Sequence, residues 1–178
     1  MLAKGQEEPR LLTLDDGQEV PVRHIQPEDA SALQRLHSRC SEETVYLRFF
    51  GPVEELSNEK ARYFAHVDGT DRFALVALDP AQQGEIIAVA RFDREVGTDQ
   101  AEYSALVEDS WQGRGLGQHL TQQLLDAARD RGIRYFYGLV MSRNTGMLKL
   151  LRGLELPERE RKEKGAKYVE VEIQPEYS

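Results

Sequence analysis

The sequence predicts an α/β domain built on one sheet of mixed strand direction. Three observations predict it. Strand-like and helix-like segments alternate along the chain in the order β-β-α-α-α-β-β-β-α-β-α-β. The run Phe73 to Leu78 is continuously apolar, as in a strand buried on both faces. Leu116 to Arg131 carries Leu116, Leu120, Leu124 and Ala127-Ala128 on one face, the pattern of a helix laid on a sheet.

The remaining elements follow in order. Residues Met1 to Arg10 are polar and are expected to form a flexible tail, leaving 11–178 as a single domain. Leu11 to Leu14, Asp15-Asp16-Gly17 and Glu19 to Ile25 read as strand, tight turn and strand. Pro27-Glu28-Asp29 opens a helix that runs to about His37: proline suits the first turn, and acids suit the positive helix end. Ser41 to Thr44 starts a short helix that carries Val45, Leu47, Phe49 and Phe50 and stops at Gly51-Pro52. Ser57 caps another, covering Lys60 to Val67. Glu85 to Asp93 and Gln100 to Glu108 are strands joined by a turn near Gly97. Tyr135 to Met141 is a strand, Thr145 to about Arg152 a helix, and Lys167 to Ile173 an alternating strand that closes the sheet.

Composition excludes several classes. Hydrophobic residues make up 40% and charged residues 30%, ordinary for a globular protein. No apolar run approaches the ~20 residues of a membrane span, and the first ten residues lack the apolar core of a signal peptide. A lone cysteine, Cys40, cannot form an intrachain disulfide, so a cytoplasmic location is expected. Cys40, on an apolar helix end, is expected to be a buried filler. His24, His37, His66 and His119 show no ligand spacing, so no metal is expected. A net charge of −8 disfavours nucleic acid. The charge is uneven, with ten Lys/Arg against five Asp/Glu between Ala128 and Lys164. This fits an anionic cofactor with a cationic co-substrate. The plainer reading is that Arg159, Arg161, Lys162 and Lys164 solvate a loop.

The chemistry concentrates in Gln112-Gly113-Arg114-Gly115-Leu116-Gly117, between a strand and the amphipathic helix. Glycines in alternation leave backbone N–H groups uncovered, so that several can point at one anion. The following helix adds its positive end, and a diphosphate is the natural ligand. A nucleotide P-loop would require Gly-Lys-Ser/Thr, where this chain has Leu116-Gly117-Gln118. A dinucleotide fingerprint would require a glycine at Gln118 and an early position in the chain.

What remains is Gln-x-x-Gly-x-Gly at Gln112, Gly115 and Gly117. It is preceded by a strand, by Val107-x-Asp109 and by Trp111. With these residues the chain, from about Leu12 to Ile173, resembles the GCN5-related N-acetyltransferase (GNAT) superfamily. It is similar in particular to bacterial protein-lysine acetyltransferase (Pat-like) domains. The carrying residues are Val22-Arg23-His24-Ile25-Gln26-Pro27-Glu28-Asp29, Tyr46-Leu47-Arg48-Phe49-Phe50, Ala101-Glu102, and Asn144 with Met147. The resemblance implies a mixed, mostly antiparallel sheet flanked by helices, with acetyl-CoA as co-substrate. It implies that Gln112, Gly113, Arg114, Gly115, Leu116 and Gly117 hold the pyrophosphate. It further implies that the backbone of Leu106 and Val107 pairs with the pantetheine amides and that Asn144 helps hold the pantetheine or phosphate arm. Where many relatives read Leu-Gly-Phe, this chain has Gly153-Leu154-Glu155-Leu156, and the tyrosine that often serves as general acid is missing.

An amine must be neutral to attack a thioester. With a reference pKa of about 10.4, freeing a lysine amine at pH 7 costs roughly 4–5 kcal/mol. Glu102, on the strand leading to the loop, is the candidate general base, in the Ala-Glu context of the protein acetyltransferases. The plainer reading is an exposed strand glutamate sharing a face with Gln100 and Ser104. A thiolate leaves with a thiol pKa of about 8.5, so strong acid help is not required. Tyr103, Tyr135 and Tyr137 could donate a proton but also read as packed strand aromatics. The expected activity is direct acetyl transfer to an amine, with a protein lysine as leading acceptor. The resemblance offers acyl-CoA synthetases as one class of protein acceptor. Acetylation of a small amine (polyamine, amino acid or antibiotic) and a non-catalytic acyl-CoA-binding regulatory module are the alternatives.

Overall fold

The computed structural model describes residues 8–174. Most of the expected tail, residues 1–7, lies outside the described residues, while its last residue, Arg10, already belongs to a strand. The elements are β1 (Arg10–Thr13), β2 (Glu19–His24), α1 (Ala30–Arg39), α2 (Glu42–Phe49), α3 (Asn58–Ala65), β3 (Arg72–Leu78), β4 (Ile86–Arg94), β5 (Gln100–Val107), α4 (Leu116–Asp130), β6 (Tyr135–Met141), α5 (Thr145–Gly153), β7 (Glu158–Glu163) and β8 (Ala166–Glu172). The strands form one sheet in the order β1-β2-β3-β4-β5-β6-β8-β7. Every neighbouring pair is antiparallel except β5 with β6.

Local chemistry accounts for the helix starts. Ser41 and Ser57 each accept the N–H of the residue three positions on, the bond that caps a free helix end. Before α1, Asp29 accepts the N–H of Gln26 (2.7 Å) and both arms of Arg23 (2.7 and 2.8 Å), so the Pro27 turn is clamped to β2.

Side-chain alternation sorts the core onto the two faces. On one face α4 and α5 cover Phe73, Phe92, Ala101, Tyr103 and Phe136. On the other, α1 and α3 cover Ala74, Val76, Val89 and Leu106. Strands β3 and β4 lie near the middle; β3 is buried over five consecutive residues, which is why it reads as an apolar run, and β4 over seven, Arg91 included.

The C-terminal third departs from expectation. Arg159, Arg161 and Lys162 do not sit in a loop; they belong to β7, and Lys164 lies in the turn that joins it to β8. Strand β8 therefore lies inside the sheet, and β7 forms its edge. The sequence Glu158-Arg159-Glu160-Arg161-Lys162-Glu163 has no apolar alternation to read, because both of its faces are largely exposed. It is a strand because β8 offers it a full ladder, from Glu158↔Val171 to Glu163↔Ala166. Dense charge on such an edge opposes pairing with other chains.

Candidate functional site

Strands β5 and β6 pair only at Gln100↔Tyr135, Ala101↔Phe136 and Glu102↔Tyr137. Beyond this point β5 continues to Val107 and β6 to Met141 without pairing, so the sheet forks. The fork is the base of a cleft of about 460 Å³. Tyr103 to Val107 form one wall and Phe136 to Val140 the other, and α2 contributes Thr44, Leu47 and Arg48. At the apex Gly138 faces the Tyr103 carbonyl, which a Cβ would approach to 3.3 Å.

The register decides which backbone groups face this cleft. Glu108 N–H donates to Ile87 O (2.9 Å), and Val107 stands opposite Ala88. In an antiparallel ladder this alternation turns Leu106 N–H and C=O toward Val89. It turns those of Tyr103, Ala105 and Val107 toward the open fork. The expectation that Leu106 offers its backbone to the cofactor is therefore corrected: its main chain is used in the ladder with β4. The edge without a partner strand belongs to Ala105 and Val107, where the Val107 carbonyl accepts the side chain of Gln112.

At the mouth of the cleft the chain turns into α4. Gly113 and Gly115 have φ of +75° and +83°, values that a side chain resists. The first bond inside α4 runs from His119 N–H to Gly115 O (3.0 Å), so the N–H groups of Leu116, Gly117 and Gln118 have no acceptor within the helix. They converge with the helix dipole on the loop, an arrangement suited to an anion. Gly117 packs so closely that a Cβ would lie 3.0 Å from Leu150 and 3.5 Å from Val107. The Leu116 side chain is core, so its part in the loop is its backbone.

Other residues support the loop. Gln112 donates its side-chain amide to Val107 O (2.9 Å) and Thr44 Oγ1 (3.2 Å), joining loop, strand and α2. Asp109 accepts Ser41 N–H (2.9 Å) and Thr44 Oγ1–H (3.1 Å). Partial burial pushes its carboxyl up, but these bonds outweigh that effect and hold it below the ordinary value. Arg114 turns away from the cleft, ion-paired with Asp16 (2.8 Å) and stacked over Trp111 (4.5 Å). Asp15, at the tip of the β1–β2 hairpin, lies beside Gly115 and pairs with His119 (2.8 Å). Asn144 lines the cleft while its side-chain oxygen caps α5 by accepting Met147 N–H (3.1 Å).

Glu102 sits at the apex of the fork. It is exposed and does not line the cleft itself; its neighbours Tyr103, Ser104 and Tyr137 do. It lies on the α2 side of the sheet and interacts electrostatically with Arg48 and Tyr137. The tyrosines differ in state. Tyr103 is buried and shares a hydrogen bond with Thr121 (2.6 Å); burial raises its phenol well above the usual range. Tyr137 donates to Glu95 (2.8 Å), and burial, that bond and the nearby charges of Glu95 and Glu102 raise it likewise. Cys40 lies near Asp109 and Glu108, and burial with these charges pushes its thiol up to about 12. Such a thiol is almost entirely protonated at neutral pH and is a poor nucleophile.

The sequence singled out the loop but missed Arg48 as a cleft residue and the hairpin tip at Asp15 and Asp16. No local signal marks either, because each meets the site through a contact distant in sequence. Among the described residues no group of three or more His, Cys, Asp or Glu is arranged to hold a metal, and no helix is long and apolar enough to cross a membrane.

Residues 32–155, which span the forked sheet and the glycine-rich helix start, match the model of the acetyltransferase (GNAT) family. The chain belongs to that family. It is 30% identical over 137 residues to an acetyltransferase of Pseudomonas aeruginosa, covering 76% of this chain and 73% of that protein. It is 33% identical over 131 residues to the acetyltransferase Pat of Mycolicibacterium smegmatis, covering 73% of this chain and 39% of that protein's length. The crystal structure of the GNAT domain of S. lividans Pat superposes with a TM-score of 0.84 at 33% identity, covering 92% of this chain and 96% of that domain. The molecule is thus an acetyltransferase that uses acetyl-CoA as its donor.

Proposed function

We propose that this acetyltransferase modifies the side-chain amine of a lysine on a protein surface, with Glu102 as general base. The observation that carries the reading is the position of Glu102. It is exposed at the apex where β5 and β6 part, at the far end of the unpaired β5 edge from the anion loop. From Val107 to Glu102 the strand rises roughly 17 Å. On this reading the pyrophosphate lies on the N–H groups between Gly113 and Gly117. The pantetheine arm extends the sheet along Val107 and Ala105, and the thioester comes to rest near Ser104. An amine entering from the α2 side meets Glu102, which accepts its proton as the nitrogen attacks the acyl carbon. The thiolate leaves without strong acid help.

Kinship supports a protein acceptor, since the chain shares a third of its residues with the Pat domain over nearly the whole of both. Charge supports it too. Outside the basic stretch the chain is strongly acidic, which favours encounter with a basic protein surface. Acyl-CoA synthetases are one class of protein to include as acceptors.

The test is a competition assay with acetyl-CoA in which candidate proteins, lysine peptides, polyamines and amino acids are present at equal concentration. Turnover is read by mass spectrometry. Lysine Nε-acetylation of a protein is the expected dominant product. If a small amine turns over with kcat/KM about 10²-fold above every protein, the acceptor is a small molecule.

A further inference from the structure

Behind the acyl end of the cleft lies a second, smaller cavity of about 30 Å³. The two share Arg48, Ser104, Ala105 and Leu106, so the small cavity opens where the proposed reading puts the transferred group. That volume holds a group the size of one or two waters. Apolar side chains of α1 and β4, Leu36 and Val89 among them, form much of its wall.

The polar part of the wall is entirely basic or neutral. It comprises Arg48 from α2, Arg91 from β4, His37 from α1 and Ser104 from β5. Arg91 is only 4% exposed, and its Nε and Nη2 have no hydrogen-bond partner. Its Nη1 donates to Phe64 O (3.1 Å), and its acid neighbour among the described residues, Asp93, lies 3.7 Å from Nε. Asp93 is already engaged by Arg72 at 2.9 Å. His37 is 3% exposed. Its Nε2 contacts Val53 O at 2.6 Å, which requires a proton on that nitrogen, and its Nδ1 is unpartnered. Both guanidinium groups approach the ring of Phe64, which also lines the cavity, with Arg91 at 4.8 Å and Arg48 at 6.0 Å from its centroid. Burial and then the Arg91 charge pull Arg48 down to about 10, while Glu102 and Asp93 act in the opposite sense, and burial lowers Arg91 as well. A guanidinium keeps its proton at neutral pH, so the two groups repel each other. Buried donors without acceptors are costly, and two like charges lining one small space are costlier still. An anion seated between them would remove both costs.

We propose that this cavity is a subsite for a carboxylate carried by one of the enzyme's substrates, bound by Arg91 and Arg48 beside the transferred acyl group. The proposal rests on the reading that the acyl group lies against Ser104 to Leu106. The carboxylate has two possible sources. It is either the far end of a short dicarboxylic acyl group or a carboxylate next to the accepting amine.

Two arms distinguish the sources. In the first, calorimetry compares malonyl- and succinyl-CoA with propionyl- and butyryl-CoA on the full chain, with no acceptor present. In the second, acetyl-CoA is offered with lysine peptides that carry a free carboxylate near the lysine or the same group as an amide. In one arm the carboxylate form is favoured about tenfold or more, the worth of a charge-assisted hydrogen bond. That preference is lost in Arg91→Met and partly kept in Arg91→Lys, while affinity for CoA itself is unchanged. The first arm assigns the carboxylate to the acyl group and the second to the acceptor. Equal behaviour of charged and neutral forms in both arms of the wild-type protein overturns the proposal, whether or not Arg91→Met folds. A preference that survives in folded Arg91→Met overturns it as well. The binding arm needs no acceptor, so it reads the subsite even if the lysine reading fails.

Discussion

Replacing Gly115 with alanine separates backbone strain from cofactor contact. Gly115 has φ +83° and ψ 0°, a left-handed conformation that costs a residue with a Cβ about 1–2 kcal/mol. The new Cβ would also run into the carboxylate of Asp15. That side chain is 70% exposed and can swing aside, giving up its bond to His119, an exposed pair worth at most about 1 kcal/mol. The expected loss of stability is therefore roughly 1–3 kcal/mol, or about 2–12 °C in Tm for a chain of this size. The binding effect is distinct. A methyl group at the mouth of the loop holds a phosphate away from the N–H groups behind it, and each charge-assisted bond lost costs about 1.5–3 kcal/mol, or about 10–150-fold. Gly132 provides the control. It has φ +76° just beyond the opposite end of the same helix, with nothing within 4 Å of a Cβ, and it does not line the cleft. Gly132→Ala should lose stability by the strain alone and keep its affinity. Calorimetry with acetyl-CoA, expected near −8 kcal/mol for the wild type, reads the difference. Wild-type affinity in folded Gly115→Ala would refute the assignment of the pyrophosphate to this loop.

Two further outcomes are expected. Glu102→Gln should lower kcat by about 10²–10⁴ at pH 7 and leave acetyl-CoA affinity unchanged, with the rate partly recovering as pH rises and more amine becomes neutral; a wild-type rate at pH 7 would make Glu102 a surface residue. Asp109→Asn should lower Tm at pH 7 by the equivalent of at most about 1 kcal/mol, because the amide oxygen is a weaker acceptor for Ser41 and Thr44. The folded Asp109 carboxyl lies below its unfolded value, so its contribution is present above about pH 4 and is lost as pH falls through the folded value. The Tm gap between wild type and variant, measured from pH 7 to pH 3, should therefore close on the acid side; a gap that stays constant with pH would show that charge plays no part.

The anion loop was legible in the sequence because its parts are contiguous. Alternating glycines, a preceding strand and an amphipathic helix all lie between Gln100 and Arg131, and the free N–H groups follow from the helix start itself. Helix caps and buried strands were legible for the same reason: their signals are set by near neighbours along the chain. Strand β7 was not, since its residues carry no apolar period and it exists only because β8 presents an unpaired edge. Pairing register also lay beyond the sequence. Whether Leu106 or Val107 turns its amide to the cleft depends on which residue of β4 stands opposite, a one-residue question that side-chain pattern does not answer. The fork arises from the parallel pairing of β5 with β6 stopping at Glu102; the Ala-Glu context marked that glutamate as a candidate base, but its place at the apex is a tertiary fact. The basic cavity draws on His37, Arg48, Arg91 and Ser104 from four separate elements. The chain thus specifies by itself the pieces whose partners are a few residues away, and the tertiary structure decides every property that requires distant groups to share one low-dielectric space.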